Sequence, residues 1–177
     1  YDWQIIVIEA KDIFKTFNGR TVMHGVSSTF EDGKTNLIIG KSGSGKTVLL
    51  KSLVGLYEVE LGAILYDGRD TTRMGRRERL KLRQEIGMIF QGSALFDYMT
   101  VLENVRFPLD MFSNLTAAER DKRAKECLRR VNLEATADSL FPAQISGGMQ
   151  KRVAIARAIV QEPRYLFCDE PNSGLDP

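Results

Sequence analysis

The sequence predicts an α/β fold, and three observations carry that expectation. A short, continuously apolar run, Leu37-Ile38-Ile39, is followed at once by glycine-rich residues 40–45 and then by a helical pattern. A second apolar run, residues 165–168, ends in the adjacent carboxylates Asp169 and Glu170. Ahead of both lies a β-rich opening, and between them a long, charged, helix-forming stretch. Apolar runs without alternation suit strands covered on both faces, the arrangement of a sheet flanked by helices.

Residues 1–34 read as a mainly antiparallel β region, because residues 5–8 and 21–30 are β-rich and Asn18-Gly19 between them is a turn signal. Residues 35–90 read as the core. There the strand at 37–39 enters the glycine-rich loop, and a helix from Lys46 carries Val48, Leu49, Leu53 and Val54 near helical period before stopping at Gly55. A basic stretch, residues 69–83, relieved only by Asp70 and Glu78, precedes a strand at 86–90. No aromatics interleave with its cations to stack bases, so it reads as a solvated connector and helix face rather than a nucleic-acid patch. Residues 91–145 read as an inserted helical subdomain. Within it Thr116-Ala117-Ala118-Glu119 is a capping-box pattern that opens a helix to about Val131, with a narrow apolar stripe of Ala124, Cys127, Leu128 and Val131. Residues 146–177 hold a further helix, apolar at Met149, Val153, Ala156 and Val160, and the carboxylate-ended strand.

The bulk numbers restrict function as well as fold. With 177 residues, 43% hydrophobic and 27% charged, the chain can bury one good core with a small lobe attached, as an ordinary soluble protein does. A net charge of +2 supplies no global field toward nucleic acid. The two cysteines, Cys127 and Cys168, are far apart and belong to no cluster of metal-ligand spacing, which suits a reducing, cytosolic compartment. No apolar run reaches the roughly 18 residues of a membrane span. Arg157 interrupts even the greasy stretch 153–160. The first residue is Tyr1, no signal-peptide pattern follows it, and the natural start is expected upstream.

Two constellations carry chemistry. Gly40-Lys41-Ser42-Gly43-Ser44-Gly45-Lys46-Thr47 matches G-x-x-x-x-G-K-[ST] between a buried strand and a helix, the context a phosphate loop requires. Its glycines let successive backbone N–H groups face inward, and the helix start adds partial positive charge. Lys46 would bridge the β- and γ-phosphates, and the Thr47 hydroxyl would ligate Mg²⁺. The second is a Walker B pattern, the strand ending in Asp169-Glu170. Side chains alternate along a strand, so the two carboxylates point in different directions: Asp169 suits the Mg²⁺ shell and Glu170 the attacking water.

Ile145-Ser146-Gly147-Gly148-Met149-Gln150, just upstream of Asp169-Glu170, closely resembles the signature motif of the ABC (ATP-binding-cassette) ATPase family, and the resemblance covers nearly the whole chain. It implies a phosphate-loop NTPase core of the ABC type, with an antiparallel β subdomain and an inserted helical subdomain, truncated at the C-terminus. It also implies ATP and Mg²⁺ as ligands and a homodimer that sandwiches two ATP molecules. Ser146, Gly147 and Gly148 would then meet the γ-phosphate held by the opposite subunit, although Ser146 also reads simply as a helix N-cap. Phe17, 29 residues before Lys46, stands where the family places an aromatic on adenine, although a lone Phe in a hairpin is more often core. Gln91 matches the glutamine that links Mg²⁺ and water to a transmembrane partner, and Ser173-Gly174-Leu175-Asp176 matches the D-loop, with Asn172 in place of the usual Thr or Ser. The family's switch histidine belongs to a later strand; the only histidine here is His24, read as a surface or turn residue. Such a chain by itself is expected to bind ATP weakly and turn it over hardly at all.

The wording of residues 90–105, with Phe107-Pro108-Leu109 and Gly148-Met149-Gln150-Lys151-Arg152, looks like the ATPases of the Mla (maintenance of lipid asymmetry) phospholipid-transport systems. That resemblance implies a permease and an MCE-type lipid-binding protein as partners, at the cytoplasmic face of the inner membrane, with no nucleic acid involved. An importer of amino acids or other small solutes, and an ABC ATPase without a membrane partner, are the alternatives. Leu95-Phe96-Asp97-Tyr98-Met99 favours a membrane partner by offering apolar groups for a groove that receives a partner helix, with Leu95, Phe96 and Tyr98 on the docking surface.

Overall fold

Asn18 and Gly19, with φ of 49° and 78°, form the tight turn expected of them and join the two longest strands, β1 (Val7–Phe17) and β2 (Arg20–Glu31). Positive φ at both turn residues matches the right-handed twist of the flanking strands. The computed structural model describes residues 7–170, which divide into two units, one up to residue 81 and one from residue 82.

In the first unit β1 and β2 are joined by β3 (Leu61–Tyr66) and β4 (Arg69–Asp70) in one antiparallel sheet of order β2-β1-β3-β4. The antiparallel region is therefore not confined to residues 1–34, because strands from beyond the glycine-rich loop return to its edge. Alternate residues Ile8 and Ala10 of β1 and Ile64 and Tyr66 of β3 are buried, the period of a half-covered sheet. Helix α1 (Lys46–Leu53) stops as expected around Gly55, where the N–H groups of Gly55 and Leu56 donate to the carbonyls of Ser52 and Lys51 at 3.0 and 2.8 Å. The Tyr66 hydroxyl donates to the Leu53 carbonyl at 2.8 Å and ties β3 to that helix end.

One expectation fails here. Residues 37–39 are in no strand, and Leu37 and Ile39 are 78% and 84% exposed. A run covered on both faces needs a strand on each side, and among the described residues no strand of either sheet pairs with this one.

The basic stretch becomes β4, a short connector and α2 (Arg76–Gln84), in which Leu82 is the only buried residue, while Arg73, Arg76, Arg77, Lys81 and Arg83 are exposed. It is the solvated face its composition suggests.

The second unit pairs β5 (Ile86–Ile89) with β6 (Tyr165–Cys168) in parallel and packs three helices: α3 (Val101–Phe112), α4 (Ala117–Arg130) and α5 (Gly147–Ile159). Their core faces follow helical spacing: Val101, Val105 and Leu109; Ala124, Cys127 and Leu128; Val153, Ala156 and Val160. At about 1.5–3 kcal/mol for each large side chain removed from water, this cluster dominates the unit's stability. Thr116 caps α4 as read, accepting from the Glu119 N–H at 3.3 Å while the Glu119 carboxylate accepts from the Thr116 N–H at 2.7 Å. Helix α3 was not anticipated. It has the same device at Thr100 and Glu103, but Pro108 at the start of its third turn argues against a helix there. The structure keeps it helical to Phe112, with Arg106 paired to Asp110 at 3.0 Å and to Asp121 of α4 at 2.6 Å.

Candidate functional site

Lys46 opens α1 and turns back into the glycine-rich loop. Its ammonium donates to the carbonyls of Gly40 and Lys41 at 3.0 and 3.1 Å, and the Ser44 N–H closes a turn onto the Lys41 carbonyl at 3.2 Å. Gly43 and Gly45 have φ of 74° and 93°, values that carry the loop around the lysine and that side-chain-bearing residues resist. The helix start at Gly45 has no side-chain cap, and no acidic residue stands in the first turn. A helix start with neither a side-chain cap nor an acid in its first turn offers its dipole and its first backbone N–H groups to an anion. Lys41, Ser42, Gly43 and Ser44 are exposed along the loop, and Thr47 is half-buried in the first turn.

The second unit holds the carboxylates. Asp169 is buried, and its N–H donates to the Ile89 carbonyl at 2.8 Å, so it continues the ladder of β5 and β6 by one residue. Glu170 is exposed with a left-handed backbone, φ 48°, a conformation that costs a residue with a Cβ and concentrates at functional sites. The two side chains thus differ in exposure, and the left-handed turn at Glu170 rather than strand alternation separates them, since β6 ends at Cys168. Gln91, two residues beyond the end of β5, donates from Nε2 to Glu170 Oε2 at 2.9 Å, so two residues 79 positions apart in sequence meet.

Ser146 precedes α5 and its Oγ accepts from the Met149 N–H at 3.3 Å, with Gly147 and Gly148 exposed in the first turn. The N-cap role read for the serine is present. Phe17, half-buried at the end of β1, meets the edge of Tyr57 at 5.1 Å with the Lys15 ammonium 5.2 Å from its centroid. His24 is exposed on β2. The D-loop residues 173–176 lie outside the described residues.

Leu95, Phe96 and Tyr98 do not form one free surface. Leu95 packs against the helical core, Phe96 is half-buried against Phe107 at 4.8 Å, and only Tyr98 is largely exposed, at 73%. Two residues at this loop escaped the sequence reading. Asn104 of α3 and Arg157 of α5 hold its backbone. The signal for Arg157 was its place as a lone cation inside an apolar run, which requires polar partners wherever the run is buried.

Among the described residues no three His, Cys, Asp or Glu side chains gather to hold a metal by themselves. Mg²⁺ takes few protein oxygens and completes its shell with phosphate and water, and the Thr47 hydroxyl in the first unit and the Asp169 carboxylate in the second are each, taken singly, of the oxygen type it accepts. No helix among the described residues is long and apolar enough to cross a membrane.

The comparisons agree with these features. A model of the ABC transporter family matches residues 23–173. The chain is 39% identical over 172 residues to the probable ribonucleotide transport ATP-binding protein mkl of Mycobacterium leprae (strain TN), covering 97% of this chain and 49% of that protein. It is 42% identical over 174 residues to the methionine import ATP-binding protein MetN of Geobacillus kaustophilus (strain HTA426), covering 98% of this chain and 50% of that one. The chain thus spans about half the length of the curated relatives it matches. Among solved structures it superposes on the dimeric post-hydrolysis state of the ATP-binding cassette MJ0796 bound to ADP and Pi, with a TM-score of 0.86 and 34% identity, over 96% of this chain and 76% of that one. A phosphate loop on an uncapped helix, a strand ending in two carboxylates and a serine-capped glycine pair therefore stand in a chain that belongs to the ABC transporter family.

Proposed function

We propose that this chain is the ATP-binding and ATP-hydrolysing part of an ABC transporter, acting as a homodimer on the cytoplasmic face of a membrane permease. The observation that carries the proposal is the Lys46 ammonium folded onto the Gly40 and Lys41 carbonyls at an uncapped helix start. Bound phosphates would replace those two carbonyls as partners of a cation already in place. The loop residues Gly40, Lys41, Ser42, Gly43, Ser44 and Gly45 line the backbone donors. Phe17 would stack on adenine, and Ser146, Gly147 and Gly148 would face the nucleotide of the partner copy.

Thr47, Gln91 and Asp169 would hold Mg²⁺, which supplies neutralisation of charge on the β- and γ-phosphates. Glu170 takes the proton of the attacking water, and Gln91, already hydrogen-bonded to it, orients that water. Steady-state phosphate release by the full-length protein with Mg²⁺ and ATP tests this reading. Release that Glu170→Gln leaves at the wild-type rate would refute the role of the base.

The cargo is phospholipid moved between inner and outer membranes, a reading supported by the wording of residues 90–105 and 148–152 and implying an MCE-type partner. The 42% identity to a methionine import protein favours a second reading, an importer of amino acids or other small solutes. Co-purification of the full-length protein with its membrane partners, followed by lipid extraction, separates them. Bound phospholipid with a lipid-binding partner supports the first, and a solute-binding partner without lipid supports the second.

A further inference from the structure

The loop between Gln91 and α3 is held at two places by side chains that the proposed chemistry does not use. At its far end the buried Asn104 accepts from the Phe96 N–H at 2.8 Å and donates to the carbonyls of Phe96, Met99 and Thr100 at 3.1, 3.0 and 3.0 Å. Near Gln91 the clamp is Arg157 of α5, whose Nη1 donates to the Ala94 carbonyl at 2.7 Å and whose Nη2 donates to the Ser93 carbonyl at 2.9 Å. Its guanidinium also lies 5.9 Å from the centroid of the Phe96 ring.

Burial pulls the Arg157 pKa below the ordinary guanidinium value, and the partners it meets are neutral carbonyls. A half-buried cation on neutral partners still loses part of its hydration, and the fork offsets that loss, because two donors in one plane reach two successive carbonyls. One of those carbonyls belongs to Ala94, whose φ of 47° is a left-handed conformation that a side chain disfavours. The guanidinium therefore holds a backbone shape that the loop would otherwise leave.

We infer that Arg157 is a positioning residue for Gln91: by fixing the backbone at Ser93 and Ala94 it sets where the Gln91 amide meets the Glu170 carboxylate. Arg157 stands eleven residues after Ser146 on the same helix, about 16 Å along its axis at 1.5 Å per residue. A displacement of the signature end of α5 is carried through this rod to the loop and so to Gln91. The inference rests on the proposed roles of Gln91 and Glu170.

The test compares wild type, Arg157→Lys and Arg157→Lys with Ala94→Gly in the full-length protein. ATP affinity, turnover at saturating ATP and amide hydrogen exchange of residues 92–95 are measured in each. A lysine keeps the charge but cannot reach both carbonyls in one plane. Expected are an ATP Kd within about twofold of wild type, kcat lower by about 10- to 100-fold, and faster exchange at 92–95. The added glycine, which accepts φ near 50° without strain, should recover part of the lost kcat. A purely structural role would lower thermal stability and leave kcat per folded molecule unchanged, and that result overturns the inference. So does unchanged exchange at 92–95. If Arg157→Lys does not fold, Phe96→Leu, which removes the ring beside the guanidinium, should show the same pattern with a smaller fall, and unaltered exchange and kcat in that variant overturn it equally. A wild-type protein without ATPase activity would refute the proposed function instead, and the exchange measurement would still decide whether Arg157 orders the loop.

Discussion

Gln91 Nε2 donates to Glu170 Oε2 over 2.9 Å, and the parallel register of two strands brings the pair together. Ile89 stands opposite Cys168 at the ends of β5 and β6, so residues two positions beyond each end arrive side by side. Glu170 leaves its strand through a left-handed φ of 48°, which turns its carboxylate away from the direction taken by Asp169 and toward the amide. The proposed base and the residue proposed to orient its water are thus in direct contact.

Replacing Glu170 by Gln keeps the shape and removes the basic oxygen. Turnover should fall by about 10²- to 10⁴-fold, the range for losing a positioned general base, while ATP stays bound. Phosphate release and equilibrium ATP binding, measured side by side in the full-length protein, check it. Gln91→Ala should lower kcat by less, because it removes an orienting group and leaves the base in place.

Lys46→Ala removes the cation that the loop holds ready. Its present partners are the backbone carbonyls of Gly40 and Lys41, not a carboxylate, so no buried charge is left unpaired and the fold should tolerate the change. ATP affinity should drop by at least about tenfold, as expected for a charge-assisted contact to phosphate worth roughly 1.5–3 kcal/mol. Nucleotide titration paired with a thermal melt separates the two effects.

Gly87 sits on β5 where α5 ends. A methyl group there would stand 2.4 Å from the Ala158 carbonyl oxygen and 2.8 Å from Pro163 Cγ. Gly87→Ala must push the helix end off the strand, and urea unfolding should show a loss of about 1–3 kcal/mol. Leu128→Ala in the core of the same unit, at a side chain 1% exposed, should cost about 2–5 kcal/mol by the cavity it leaves.

Acid should weaken the start of α3. The Thr100 N–H and then the Thr100 hydroxyl hold the Glu103 carboxyl below its ordinary value of 4.5. A carboxylate whose pKa is lowered by folding contributes stability that is fully present above its unfolded pKa and is lost as pH falls through the lower folded value. Urea midpoints measured from pH 6 down to pH 3 should therefore decline more steeply in wild type than in Glu103→Gln, and the variant should be the less stable protein at neutral pH. Parallel curves would show that the capping box carries no pH dependence.

Local chemistry was legible in the sequence wherever neighbours in the chain supply it. The Asn18-Gly19 turn, the phosphate loop before Lys46, the Thr116 capping box and the Ser146 cap each need only residues within a few positions, so propensity and spacing determine them. The apolar stripe of α4 was legible for the same reason, since helical period alone places Ala124, Cys127 and Leu128 on one face. Tertiary structure decided what depends on partners distant in sequence. Residues 37–39 read as a buried strand, but burial is a property of the neighbours, and the strands of the first unit pair elsewhere. Helix α3 runs through Pro108 because its apolar face packs against α4 and α5, a gain that local propensity cannot register. Arg157 showed in the sequence only as a charge out of place, and the carbonyls that receive it lie 63 and 64 residues away, so its role exists only once the chain has folded.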